Sequence, residues 1–138
     1  MTGLKISELQ VGQKAAFTKT ITETDVYLFA GISGDINPAH LNEDYAKNTL
    51  FKGRIAHGML TASLISAVIG VQLPGPGTIY SSQTLNFLAP VRFGDTITAT
   101  VEIEEIFPQK NRVSLKTYCT NQDGIVVTTG EALVLPQK

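Results

Sequence analysis

The amino-acid sequence predicts an α+β fold in which an antiparallel sheet wraps around one long buried helix. Three observations point there. Helical patterns fill the first half of the chain and strand patterns the second, the segregation typical of α+β architecture. One helix, from about Met59 to Val71, is apolar nearly all round, and a helix without a polar face is enclosed by protein on most sides. The late strands alternate apolar and polar residues, as antiparallel strands with one buried face do.

The elements follow in order. Phe17 to Ile21 reads as a short strand after a Val11-Gly12-Gln13 turn. Thr22 offers an N-cap, with Asp25 three residues on and acidic charge in the first turn. Val26, Phe29 and Ala30 then recur at helical spacing, and the helix should stop near Gly31 to Gly34. Asp35 to His40 reads as a polar loop closed by Pro38, and Asn42 caps a second short helix through Glu43, Asp44, Tyr45 and Ala46. Phe51 to Ala56 leads to His57-Gly58, where the apolar helix begins, and Pro74-Gly75-Pro76-Gly77 stops it. Ile79 to Leu88 reads as one strand. In Thr96 to Ile103, Ile97, Ala99, Val101 and Ile103 face one way. Arg112 to Thr120 alternates too, with Val113, Leu115 and Cys119 on one side, and a turn at Asn121-Gln122-Asp123-Gly124 joins it to Ile125 to Leu135.

Composition narrows the function. The 138 residues fit one domain spanning the chain, and 43% hydrophobic with 17% charged residues excludes a disordered tail. The net charge is −1 and the basic residues are scattered, so no nucleic-acid partner is expected. The single cysteine, Cys119, rules out an internal disulfide and a metal–thiolate motif. The stretch Met59 to Leu73 is interrupted by polar residues and falls short of the roughly 20 residues of a membrane span. Met1 to Gln10 lacks an apolar core of signal-peptide type, so a cytoplasmic location is expected. A mean hydropathy of +0.10 suggests apolar surface hidden against a second copy, a homodimer or dimer-based oligomer.

Few side chains can do acid–base work near neutral pH. Asp35 and His40 flank Asn37-Pro38, a carboxylate and an imidazole that can hold and activate one water. Pro38 fixes a φ angle between them and Asn37 can tie the loop to itself. Gly-Asp and Asn-Pro are also ordinary turn chemistry, and spacing leaves both readings open. Gly58, at the head of the buried helix, can present a free N–H to a developing oxyanion or can merely start a helix in a tight corner. Ser66, two turns on, can bond the Ala62 carbonyl or a carboxylate such as Asp35. Ile69 follows at i+3 and could line an apolar pocket. There is no Gly-x-Ser-x-Gly elbow and no phosphate loop. Two histidines without a third nearby ligand make a metal centre unexpected.

Together these segments resemble a known family. Phe29-Ala30-Gly31-Ile32-Ser33-Gly34-Asp35-Ile36-Asn37-Pro38-Ala39-His40 resembles the hydratase motif of the (R)-specific enoyl-CoA hydratases, single-domain MaoC-like members of the hot-dog fold. The likeness runs on through Ile55-Ala56-His57-Gly58-Met59-Leu60, Leu64-Ile65-Ser66, Leu73-Pro74-Gly75 and Pro90-Val91-Arg92-Phe93-Gly94-Asp95. It implies a long helix wrapped by a curved antiparallel sheet, and two subunits paired edge to edge. It implies reversible hydration of trans-2-enoyl-CoA to (R)-3-hydroxyacyl-CoA, with no metal or redox cofactor and CoA as part of the substrate. By the same resemblance Asp35 and His40 are catalytic and the Gly58 N–H holds the thioester oxygen. Asn37 and Ser66 support them, and Ile69 belongs to the acyl pocket. An acyl-carrier-protein dehydratase, a hot-dog thioesterase and a non-catalytic acyl-thioester binding module are the alternatives. Arg54 and Arg92 are candidates for the phosphate group of either carrier.

Overall fold

The computed structural model describes residues 1–138. After a short 3₁₀ turn at Ile6–Glu8, strand β1 covers Lys14–Thr20 and helix α1 covers Glu23–Ser33. Two one-turn helices follow, α2 at Pro38–Leu41 and α3 at Glu43–Ala46, and then the long helix α4 at Gly58–Val71. Strands β2 (Ile79–Gln83), β3 (Asn86–Phe87), β4 (Thr96–Phe107), β5 (Arg112–Thr120) and β6 (Val126–Leu135) complete the chain.

Local chemistry explains the helix ends. Thr22 accepts from the Asp25 N–H and Asp25 accepts from the Thr22 N–H, a reciprocal capping box that opens α1. Gly34 closes it in the left-handed region at φ 78°, where a side chain would be strained. Asn37 caps α2 through Ala39 N–H, and Asn42 caps α3 through Tyr45 N–H. His40 therefore sits on a helical turn and not in the open loop that the sequence suggests.

All strand pairs are antiparallel, in the order β1-β4-β5-β6-β2, with β3 also on β6. The segment expected as one strand over Ile79 to Leu88 is thus two. Both lie along the same free edge of β6, β2 against Ala132 to Leu135 and β3 against Thr128 and Thr129. The break has a physical cause at Gly130. The Thr84 carbonyl crosses so close above it that a Cβ there would lie 1.8 Å from the oxygen.

The expected alternation sets the core. Ile97, Ala99, Val101 and Ile103 of β4, and Val113, Leu115 and Cys119 of β5, are at most 1% exposed. They pack on Leu64, Ile65, Val68 and Ile69 of α4. Each such aliphatic side chain contributes about 1.5–3 kcal/mol on burial. The helix is less enclosed than its composition implies. Met59, Ser63, Ser66 and Gly70 recur at i, i+4, i+7 and i+11 and form an exposed stripe along one side. No helix is long and apolar enough to cross a membrane.

Candidate active site

The sheet and α4 hold the loop after α1, the turn α2 and the head of α4 against one cavity of about 500 Å³. Asp35, His40, His57 and Gly58 all line it. Phe51 and Phe87, from segments distant in sequence, supply apolar wall.

Asp35 lines the cavity and is exposed, with its backbone and its carboxylate each held by a near neighbour. Its N–H donates to Ser33 Oγ at 3.1 Å, and its Oδ1 accepts from Asn37 N–H at 3.2 Å. Asn37, which caps α2, thereby links the carboxylate to the turn that carries His40. The His40 ring is buried, and its Nδ1 lies 2.7 Å from the Ile55 carbonyl. A carbonyl can only accept, so Nδ1 carries the proton and Nε2 carries the lone pair. Burial is the main cause that holds His40 below the ordinary histidine value. The Ile55 bond opposes this, the nearby His57 adds to it, and Asp35 opposes it.

The sequence marks His57 only as the residue before the helix, yet it lies at the centre of the site. Its ring is 2% exposed, its Nε2–H donates to the Asp35 carbonyl at 2.9 Å, and it stacks on His40 with centroids 3.9 Å apart. The fold thus supplies what the linear chain lacks, a third potential ligand. One donor atom each from Asp35, His40 and His57 lie within 4.8 Å of one another. Two of the four ring nitrogens are already bound to backbone carbonyls. The two rings lie at 32° to one another, with the unbound nitrogens His40 Nε2 and His57 Nδ1 left over.

The other expected residues separate. Gly58 is at the cavity, but Ser66 is not. Eight residues along α4 carry it about 12 Å away at 1.5 Å per residue. There it lines a second depression of about 390 Å³ with Phe29, Met59 and Leu85. Ile69 is 1% exposed in the core and lines neither cavity. Arg54 and Arg92 are engaged within the chain. Arg54 pairs with Glu23 at 2.8 Å and Glu43 at 3.3 Å and lies over Phe93. Arg92 donates to the Phe51 and Gly53 carbonyls and so braces the cavity wall. Burial pushes the Cys119 thiol up to about 12, which keeps it from acting as a nucleophile.

Comparison with known proteins identifies the family and the fold. Residues 7–124 match the family described as MaoC like domain. The chain belongs to the MaoC-like family. This MaoC-like chain is 58% identical to an (R)-specific enoyl-CoA hydratase of Rhodospirillum rubrum, over 93% of its own length and 88% of the relative's. The structure of an R-hydratase from Pseudomonas aeruginosa superposes with a TM-score of 0.92 at 51% identity, covering 99% of this chain and 88% of that one. An (R)-hydratase from A. caviae involved in PHA biosynthesis gives a TM-score of 0.90 at 44% identity, over 93% of this chain and 97% of that one. The MaoC-like sheet wrapped on α4 is the hot-dog fold shared with these R-hydratase structures.

Sequence reasoning misses His57 as a site residue, and it misses the cavity walls Phe51, Phe87 and Thr128. An imidazole next to a helix-starting glycine is the available signal for His57. No signal marks the walls, because three remote segments meet only in the folded chain.

Proposed function

We propose that this chain is a hydro-lyase, an (R)-specific enoyl-CoA hydratase that adds water to trans-2-enoyl-CoA and yields (R)-3-hydroxyacyl-CoA. The observation that carries the reading is the convergence of Asp35, His40 and Gly58 on one cavity. The 58% identical hydratase supports the same reaction.

In this reading the thioester oxygen lies at the head of α4. The first N–H groups of a helix have no intrahelical acceptor, and the positive dipole end favours negative charge. The Gly58 N–H polarises the carbonyl, so C3 becomes electrophilic and charge moves toward the thioester oxygen. Asp35 and His40, which meets the water through its free Nε2, hold the nucleophile between them. The water oxygen bonds to C3, one of its protons passes to the pair, and the pair delivers a proton to C2. The reverse sequence dehydrates the (R)-3-hydroxyacyl thioester. Net addition of water transfers no electrons to an acceptor, so the reaction calls for no redox cofactor.

The second depression meets the first at Met59, and its apolar walls suit the acyl chain. Ile69 acts on that chain only through packing, and Ser66 lies beside it. A second copy of this chain is the occupant proposed for the exposed stripe of α4 and the open edge of β2. The A. caviae relative's role in PHA biosynthesis fits a supply of (R)-3-hydroxyacyl thioesters.

The test is incubation with crotonyl-CoA, following loss of enoyl-thioester absorbance, then chiral analysis of the product. Formation of (R)-3-hydroxybutyryl-CoA is expected. An (S) product, release of free CoA, or inertness toward short and medium chains unless they ride on acyl carrier protein would overturn the reading.

A further inference from the structure

We propose that His57 is a positioning residue, a buried imidazole that locks the Asp35 loop, the His40 ring and the head of α4 into one unit. Its kinetic consequence rests on the hydratase reading above, while its geometry does not.

The ring is held on every side but one. Its Nε2–H donates to the Asp35 carbonyl at 2.9 Å. The ring lies between Phe29, at 4.9 Å between centroids, and His40, at 3.9 Å. The fixed acceptor sets the tautomer, with the proton on Nε2 and a lone pair on Nδ1, and Nδ1 is buried without a partner. His40 mirrors this arrangement, giving its Nδ1–H to the Ile55 carbonyl. Each imidazole therefore has one edge tied to backbone and one face against the other ring. The remaining side-chain ties at Asp35 are to Ser33 and Asn37, only two residues away in sequence, and they do not fix the loop relative to α4. The His57 bond spans 22 residues and does. His57 is also the N-cap of α4, so the peptide bond to Gly58 carries the same constraint to the first amide of that helix. The spacing between carboxylate, imidazole and amide is thus set through one side chain.

Two variants separate the parts of this role. His57→Phe keeps a ring to stack on His40 and removes the donor. His57→Gln keeps a donor for the Asp35 carbonyl and removes the ring. The expectation for His57→Phe is a fall in kcat of roughly 10–100-fold, the scale of an ångström-sized misplacement, with KM for crotonyl-CoA changed less than about threefold. His57→Gln should recover part of that loss. The titratable groups facing His40 are Asp35 and His57. Removing His57 leaves Asp35 alone, so the acid limb of the kcat/KM profile should move to higher pH in His57→Phe.

A folded His57→Phe with unchanged kcat and an unmoved acid limb overturns the proposal, as does a loss confined to KM. Nitrogen NMR of the unsubstituted protein tests the geometry with neither variant nor activity. The proposal requires protonated Nε2 on His57 and protonated Nδ1 on His40, and the opposite tautomer at His57 overturns it. If the unsubstituted protein fails to hydrate crotonyl-CoA while these tautomers are found, the hydratase reading fails and the lock stands.

Discussion

A Cβ atom on residue 58 would sit 2.8 Å from two ring carbons of Phe87, so the head of α4 and the β3 ring meet with no room for a side chain. The Phe87 ring is half-exposed and can turn aside. Gly58→Ala should therefore fold with its Tm changed by only a few degrees. It should lose about 10–100-fold in kcat, because the displaced ring and the new methyl both enter the cavity. Adding Phe87→Ala should relieve the strain seen in a thermal melt without restoring turnover. Because Gly58→Ala keeps the amide N–H, normal turnover would show instead that the cavity has room for a side chain at the head of α4.

Asp35→Asn and His40→Ala should each lower kcat by roughly 10²–10⁴-fold, the usual size of an acid–base contribution. Steady-state kinetics with crotonyl-CoA measures both. Ser66→Ala should change kcat by no more than about twofold, as an exposed residue away from the reacting atoms. A Ser66→Ala loss equal to that of Asp35→Asn would place Ser66 at the chemistry.

His40 also predicts how stability depends on pH. Burial keeps its folded value below the ordinary 6.5, so the unfolded chain takes up the proton at higher pH than the folded one. Above about 6.5 both states hold a neutral ring and His40 costs nothing. As pH falls through that value toward the folded one, stability is lost. Thermal melts between pH 7.5 and 5.5 should show a falling Tm, and His40→Gln should flatten the slope. An equal slope in the variant would assign the effect to other groups.

Gly130→Ala should be the costly glycine substitution in the sheet. Its Cβ would lie 1.8 Å from the Thr84 carbonyl oxygen and 2.8 Å from Gln83 Nε2. Thr84 cannot easily retreat, because its N–H is bonded to the Glu131 carbonyl at 2.8 Å and its hydroxyl accepts from Glu131 N–H. Backbone must move, at a cost of about 1–3 kcal/mol. Chemical denaturation reads this directly, and a midpoint equal to that of the unsubstituted protein would refute the close crossing.

Much of this architecture was legible because local rules and tertiary structure agree. Thr22, Asn42 and Gly34 mark helix ends through bonds and backbone angles confined to a few residues. The alternation in Thr96 to Ile103 marks a half-buried strand because its period is fixed by the pleat. The division of Ile79 to Leu88 was not legible. It depends on where Gly130, almost fifty residues later, meets the Thr84 carbonyl.

The site divides along the same line. The sequence by itself determined that one carboxylate and one imidazole flank an Asn-Pro turn and that a glycine heads the apolar helix, since these are matters of neighbours along the chain. Only the tertiary structure decided that His57 stacks on His40 and holds the Asp35 carbonyl, that Ser66 points into a different depression, and that Arg54 and Arg92 are engaged within the chain. Those outcomes rest on contacts between residues 11 to 41 positions apart, and no local pattern carries them. The physical reason is range: capping and periodicity act within a turn or a pleat, whereas stacking, ion pairing and cavity walls exist only after packing has brought distant segments together.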